Sequence, residues 1–189
     1  MNRKIVDRVV SFIGITLAAV LVVAGALLAW GHNFVDGQVH DQLAAQKIFF
    51  PDANSDAIKA PEFAPMRQYA GQQLTTGAQA EVYANYFIAN HLKEIGGGKT
   101  YSELSAASLA DPSNTELSGQ VQTMFKGETL RGLLLNAYAF GTIGRLAGIA
   151  AITAFVGAFI LLFLSALGLW HARRAEVTVP VAGKVALPA

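Results

Sequence analysis

The chain has 189 residues, 53% of them hydrophobic and only 14% charged, with a formal net charge of +1 and no cysteine. Such a composition excludes an ordinary soluble domain, where about a quarter of the residues are charged. The missing thiols exclude disulfide staples and thiolate chemistry, and the near-neutral balance offers nucleic acid no electrostatic footprint.

Two uncharged runs dominate. Val9 to Trp30 covers 22 residues and Leu146 to Trp170 covers 25, each long enough to cross a hydrocarbon core of about 30 Å as a helix. The tails Met1 to Arg8 and His171 to Ala189 carry Arg3, Lys4, Arg8, Arg173, Arg174 and Lys184 against Asp7 and Glu176, a net +4. Gly31 to Arg145, 115 residues, carries eight Lys and Arg against eleven acids, a net −3. Basic flanks stay in the cytoplasm, so both tails are expected inside and the middle segment outside the plasma membrane. Trp30 and Trp170 then fall at opposite headgroup levels, where indole is favoured. A secretory signal is the rival reading of the N-terminus, with Arg3 and Lys4 ahead of the apolar run and Ala24-Gly25-Ala26 as a cleavage site. The run continues through Leu27 and Leu28 to Trp30, longer than a signal core, which favours a retained anchor.

Past Trp30 the first helix is expected to continue, because Val35, Val39 and Leu43 recur every four residues while Asp36, Gln38, Asp41 and Gln42 take other faces. Gly37 weakens it by about 1 kcal/mol relative to Ala, and Pro51 is expected to end it. Pro51 through Pro61 and Pro65 reads as an irregular loop. Met66 to Leu74 reads as a short helix, broken by Thr75-Thr76-Gly77, and Ala78 to Glu94 as a longer one. Thr100-Tyr-Ser-Glu103 has capping-box spacing and should open a helix to about Ala110. After Asp111-Pro112-Ser113-Asn114, Leu117, Val121, Met124 and Phe125 mark another amphipathic helix. No segment alternates as a strand does. The fold class is therefore all-α: two transmembrane helices (9–30 and 146–170) flanking an extracytoplasmic helical domain (31–145), with cytoplasmic tails at 1–8 and 171–189.

The stretch Ile95-Gly96-Gly97-Gly98-Lys99-Thr100 resembles a phosphate-binding loop only in part. The full motif needs a glycine five residues before Gly98, where Lys93 stands, and a strand before it. The expected role is structural, with Gly96 ending a helix in a left-handed cap, Gly97 and Gly98 turning the chain, and Thr100 starting the next helix.

Candidate chemistry is sparse. His32, Asp36 and His40 share a helix face, but two turns separate the histidines by about 12 Å, so a metal would bridge only an adjacent pair. A weak polar pair on a solvated face is the simpler account. His91 has no local nucleophile beside it, and no G-x-S-x-G is present. The spans hold only Ser11, Thr16, Thr153 and Ser165 as polar side chains, too few for a transport path. No enzyme activity, cofactor, metal ion, nucleotide or nucleic acid is expected.

Small residues are abundant in the spans. Gly144 with Gly148, Ala147 with Ala151, Ala154 with Ala158, and Gly14 with Ala18 have close-packing spacing, with the partner helix left open. Gly132 to Gly144 is uncharged for thirteen residues before Arg145. Apolar around most of its circumference, it is expected to extend about 20 Å past the hydrocarbon and pack on Val35, Val39 and Leu43, with the Leu117 to Phe125 helix on another side. Leu133, Leu134, Asn136, Tyr138, Phe140, Gly144 and Gly148 are the candidate interaction residues. Tyr69, Tyr83, Tyr86 and Phe87 are the candidate lining of a ligand pocket.

Tyr69 to Leu104 (YAGQQLTTGAQAEVYANYFIANHLKEIGGGKTYSEL) and Gly119 to Gly144 (GQVQTMFKGETLRGLLLNAYAFGTIG), with the flanking spans, resemble a family of small two-span membrane proteins from actinobacteria. The resemblance implies topology and little chemistry. Some such sequences carry the label aromatic ring-opening dioxygenase, which a 2-His-1-carboxylate set would support, and no such spacing stands out. The expected function is a non-enzymatic membrane protein, oligomerising or serving as an accessory subunit of a cell-envelope complex. A ligand-binding sensor is the alternative, with an extracytoplasmic enzyme behind it.

Overall fold

The computed structural model describes residues 3–174. Met1, Asn2 and the tail from Ala175 to Ala189, with Glu176 and Lys184, lie outside the described residues. Among the described residues there are five α-helices: α1 (Arg3–Ala45), α2 (Gly77–Val82), α3 (Ala89–Ile95), α4 (Tyr101–Ala110) and α5 (Thr115–Arg174). A π-helical segment, Tyr83–Ile88, joins α2 to α3, and 3-10 turns occupy Asp56–Ile58 and Pro61–Tyr69. The chain divides into two compact units, one of Met1–Trp30 with Ala147–Ala189 and one of Gly31–Leu146.

In the first unit, α1 and α5 run antiparallel and meet through small side chains. Ser11 and Ala18 of α1, and Ala151, Ala158, Ser165 and Ala172 of α5, are the buried side chains, seven residues apart along each helix. That period is the seam of left-handed helix packing. The contacts are reciprocal: a Cβ on Gly168 would lie 2.4 Å from Ser11 Oγ, and one on Gly14 only 2.2 Å from Ser165 Oγ. Each serine thus sits in the notch left by the other helix's glycine. Gly25 receives the Phe155 ring in the same way. Gly14, Ala18, Ala151 and Ala158 therefore serve pairing of the two helices. Trp170 is covered by the Arg174 guanidinium, 3.9 Å from the ring centroid, a cation–π contact.

Both helices are long and apolar enough to cross a membrane, and in their most apolar windows only 11% and 17% of the residues are buried. A core helix of a soluble protein would be mostly covered. Here Phe12, Leu17, Phe159 and Leu164 face outward, which is consistent with a lipid environment.

The second unit has a conventional core of Phe50, Ile58, Phe63, Met66, Leu74, Ile88, Leu92, Leu104 and Met124, joined by Val39, Leu43 and Leu134. Helix α1 ends before Pro51: Lys47, at φ 52°, takes the left-handed conformation, and Gln73 Nε2 donates to the Ala44 carbonyl at 2.8 Å. A single antiparallel bridge pairs Phe49 with Gln73. The short helix expected from Met66 is instead the 3-10 turn Pro61–Tyr69, which contains Pro65. Arg67 secures it by donating to the carbonyls of Ile58, Lys59 and Ala60.

Helix α2 opens on a capping box, Thr76 with Gln79. The buried Gln79 accepts from the Thr75 and Thr76 amides at 2.8 and 3.1 Å and donates to Gln72 Oε1 at 3.1 Å, so its amide pins the preceding turn. The π segment shifts the backbone register, and two side chains serve its carbonyls: Asn90 Nδ2 donates to Tyr86 O at 2.8 Å and His91 Nδ1 to Phe87 O at 2.7 Å. Helix α4 starts at the expected box of Thr100 with Glu103.

Between α3 and α4 the glycines act differently from expectation. Gly96 is right-handed, at φ −75°, while Gly97 and Gly98 are left-handed at φ 58° and 81°. Gly98 N donates to Lys93 O and Gly97 N to Glu94 O, the paired bonds of a Schellman cap. Gly96 is required for a separate reason, since a Cβ there would lie 2.4 Å from the Lys99 carbonyl oxygen.

The Leu117 to Phe125 segment is not a separate helix. It is the first part of α5, so it cannot cover the side of Gly132 to Gly144, which belongs to the same helix. That side is met by the start of α2, where Gly77 approaches Gly141 and the Ala137 carbonyl. Leu92 fills the notch at Gly127.

Candidate functional site

Within the second unit, α1 and α5 line a groove of about 520 Å³. One wall is Phe34, Val35, Gln38, Val39, Gln42 and Leu43 of α1 with Gln46 and Ile48 beyond its end; the other is Leu130, Leu133, Leu134, Asn136, Ala137 and Phe140 of α5. Four-residue spacing explains both walls, because side chains at i and i+4 stack on one helix face. No lining residue is charged. Leu134 forms the floor at 3% exposure, whereas Leu133 and Phe140 stand on the lip at 61% and 59%. Gln38, Gln42 and Gln46 form a strip of amides on the α1 side, with Gln42 Nε2 donating to Gln38 Oε1 at 3.3 Å.

Four of the candidate interaction residues, Leu133, Leu134, Asn136 and Phe140, meet in this groove. The others do not. Tyr138 lies against Gly77, Gly144 packs on Val35, and Gly148 is half-buried in the first unit. The amide strip was missed, although Gln38 and Gln42 share a face of α1 and the four-residue spacing on to Gln46 is visible in the chain.

Three of the candidate pocket aromatics form a stack. Tyr83 and Phe87 rings are 4.8 Å apart, Phe87 and His91 4.4 Å, and Phe50 bridges Tyr69 and Tyr83 at 5.3 Å from each. Phe63 closes the cluster on Phe87 and His91. Tyr86 points away and is exposed. Burial pushes the Tyr83 phenol above its ordinary pKa, because the phenolate would lose hydration.

The histidines are committed to local contacts. A carbonyl only accepts, so Nδ1 carries the proton in His32, 2.9 Å from Gly144 O, and in His91 on Phe87 O. His40 meets Asp41 at 3.2 Å on the surface. Among the described residues no three His, Asp or Glu side chains gather as a metal set. Arg131 donates to Glu128 at 3.3 Å and to Asn85 at 3.4 Å, its Nε buried without a partner. In the glycine loop the amides that a phosphate would need are spent internally: Gly97 on Glu94 O, Gly98 on Lys93 O, Lys99 on Gly96 O and Thr100 on Glu103 Oε2.

No protein-family model, curated protein or solved structure matches the chain. The groove, with its uncharged walls and exposed apolar lip, is the feature of this unit suited to binding.

Proposed function

We propose that the chain is a non-enzymatic plasma-membrane protein whose helical domain acts outside the cytoplasm as a docking module, oligomerising or serving as an accessory subunit of a cell-envelope complex. The supporting observation is the lip of the groove, where Leu133 and Phe140 expose large apolar side chains seven residues apart on one helix. Exposed apolar surface of this kind marks interaction sites. The charge asymmetry between tails and middle segment supports the orientation, both termini inside. The actinobacterial resemblance supports the same two-span plan.

A photo-cross-linking side chain at position 133 or 140, in native membranes, tests this. Adducts of defined higher mass from both positions are expected; monomer alone from both would overturn the reading. A second reading, a ligand-binding sensor acting through a signalling partner, is favoured by the groove volume, which falls among small-molecule sites.

A further inference from the structure

We infer that the end of the first unit that carries Arg8 and Arg174 binds the phosphate headgroups of anionic phospholipids. This rests on α1 and α5 crossing a bilayer, and not on the docking reading of the second unit.

The register of the seam assembles the surface. Ser11 meets Gly168 and Gly14 meets Ser165, and the same antiparallel register continued outward sets Arg8 level with His171 and Ile5 level with Arg174. Arg3 and Lys4 lie in the first turn of α1, while Arg173 and Arg174 close the last turn of α5. Five cationic residues from the two helices are thereby gathered into one layer. From Arg3 to Arg8 the helix rises about 8 Å, close to the roughly 5–8 Å of headgroup that covers each side of the hydrocarbon. Among the described residues of this end the one carboxylate is Asp7, which lines an open notch with Leu167, Gly168, Trp170 and His171. The other end of the unit, at Trp30 and Ala147, carries no charged residue.

One cation is held at a defined depth. Trp170 is 54% exposed, and the Arg174 guanidinium lies over its ring. An indole settles at the headgroup level, so the stack keeps this guanidinium among the phosphates. Stacking uses the face of a guanidinium and leaves its N–H edge for oxygen acceptors, which a phosphate can meet two at a time. A zwitterionic lipid brings its own ammonium beside the phosphate. An anionic lipid brings an uncompensated charge, and a layer with five cations against one carboxylate favours it.

The two tryptophans report on the two ends. Trp30 and Trp170 are the only ones in the chain, so Trp30→Phe leaves Trp170 as the emitter and Trp170→Phe leaves Trp30. Each full-length variant is reconstituted in mixed phosphatidylcholine and phosphatidylglycerol, with brominated acyl chains on one lipid or the other. Quenching then gives the relative affinity of the two lipids beside each indole. Phosphatidylglycerol is expected to be favoured about fivefold at Trp170, equivalent to about 1 kcal/mol, with the ratio near unity at Trp30. In the Trp30→Phe chain, Arg173→Gln with Arg174→Gln should lower the Trp170 ratio at least about twofold, and Arg173→Lys with Arg174→Lys should retain most of it. Equal quenching by the two lipids at Trp170, a ratio unmoved by the glutamine pair, or the same preference at Trp30 would overturn the inference. Loss of the preference to inorganic phosphate at matched ionic strength would also overturn it, by assigning the cations to a soluble anion. Quenching of neither indole by either brominated lipid would remove the helices from the bilayer and the membrane reading with them. Equal quenching by both lipids leaves that reading standing and removes the headgroup preference alone.

Discussion

Between the helices of the first unit the buried side chains are Ser11, Ala18, Ala151, Ala158, Ser165 and Ala172, while Phe12, Leu17, Phe159 and Leu164 point outward. The second unit reverses this: Ile58, Met66 and Leu74 are fully enclosed, and its turns are held by caps and side-chain amides. The reversal is consistent with a lipid surround for the apolar helices of the first unit and an aqueous one for the second. In lipid, large apolar groups gain nothing by leaving the surface, so close backbone approach through Gly, Ala and Ser holds helices together. In water the hydrophobic effect drives the large groups inward, and every loop amide must find an acceptor.

Cysteine cross-linking probes the first unit most directly and has an all-or-none readout. A Cβ placed on Gly168 lies 3.8 Å from Ser11 Cβ, and one on Gly14 lies 3.6 Å from Ser165 Cβ, both within the range of about 3.5–4.5 Å that a disulfide spans. The natural chain has no cysteine. The double variants Ser11→Cys with Gly168→Cys, and Gly14→Cys with Ser165→Cys, should each oxidise to an intramolecular disulfide seen as a shifted non-reducing gel band. Failure of both would break the reciprocal seam.

Truncating large side chains should then separate the units. Met66→Ala is expected to cost about 3 kcal/mol through lost burial and a residual cavity. Phe159→Ala, on the outward face of α5, should cost well under about 1 kcal/mol when lipid covers that face. Thermal unfolding by circular dichroism in lipid nanodiscs checks both, and equal losses would erase the contrast. Next in size is Gly96→Ala, about 2 kcal/mol, because the new Cβ meets a backbone carbonyl that cannot turn aside. Stability within about 0.5 kcal/mol of the natural chain would show that the turn can open.

How much of this was legible follows from the range of each signal. The long helices were, because apolar runs of more than twenty residues have few alternative structures, and so was the box at Thr100 and Glu103, which is local. The seam was only half legible: i, i+4 pairs of Gly and Ala stand out, yet the register is a seven-residue repeat that includes Ser11 and Ser165. Met66 as a helix start failed because Pro61 and Pro65 pre-set a tighter turn that long-range contacts from Arg67 hold in place. The division of α5 failed because a notch for Leu92 at Gly127 is visible only once α3 is packed on it. Of the groove, the α5 wall was legible as an apolar run. The apolar part of the α1 wall, Val35, Val39 and Leu43, was legible too; only the amides beside it were obscured, because glutamines at an apolar edge have the composition of a solvated face.

The smallest effect expected is electrostatic and lies in the second unit's cap. The Thr100 amide donates to Glu103 Oε2 at 2.7 Å and the Thr100 hydroxyl at 2.8 Å, and these bonds, the backbone one foremost, hold the Glu103 carboxyl below its ordinary pKa. A carboxyl depressed in the folded state stabilises it above the unfolded-state pKa, and that contribution disappears as pH falls through the folded value. Acidification should therefore loosen the start of α4 below the usual carboxylate range, an effect weakened by full solvent exposure. A carbon-13 NMR titration of the Glu103 carboxyl should give a midpoint under the ordinary glutamate value. Thr100→Ala should remove the hydroxyl share and raise the midpoint, while Thr100→Ser should restore it. A midpoint at the ordinary value in the natural chain would show that the cap is not closed in solution, and that the loop ahead of α4 is held by Gly97 and Gly98 alone.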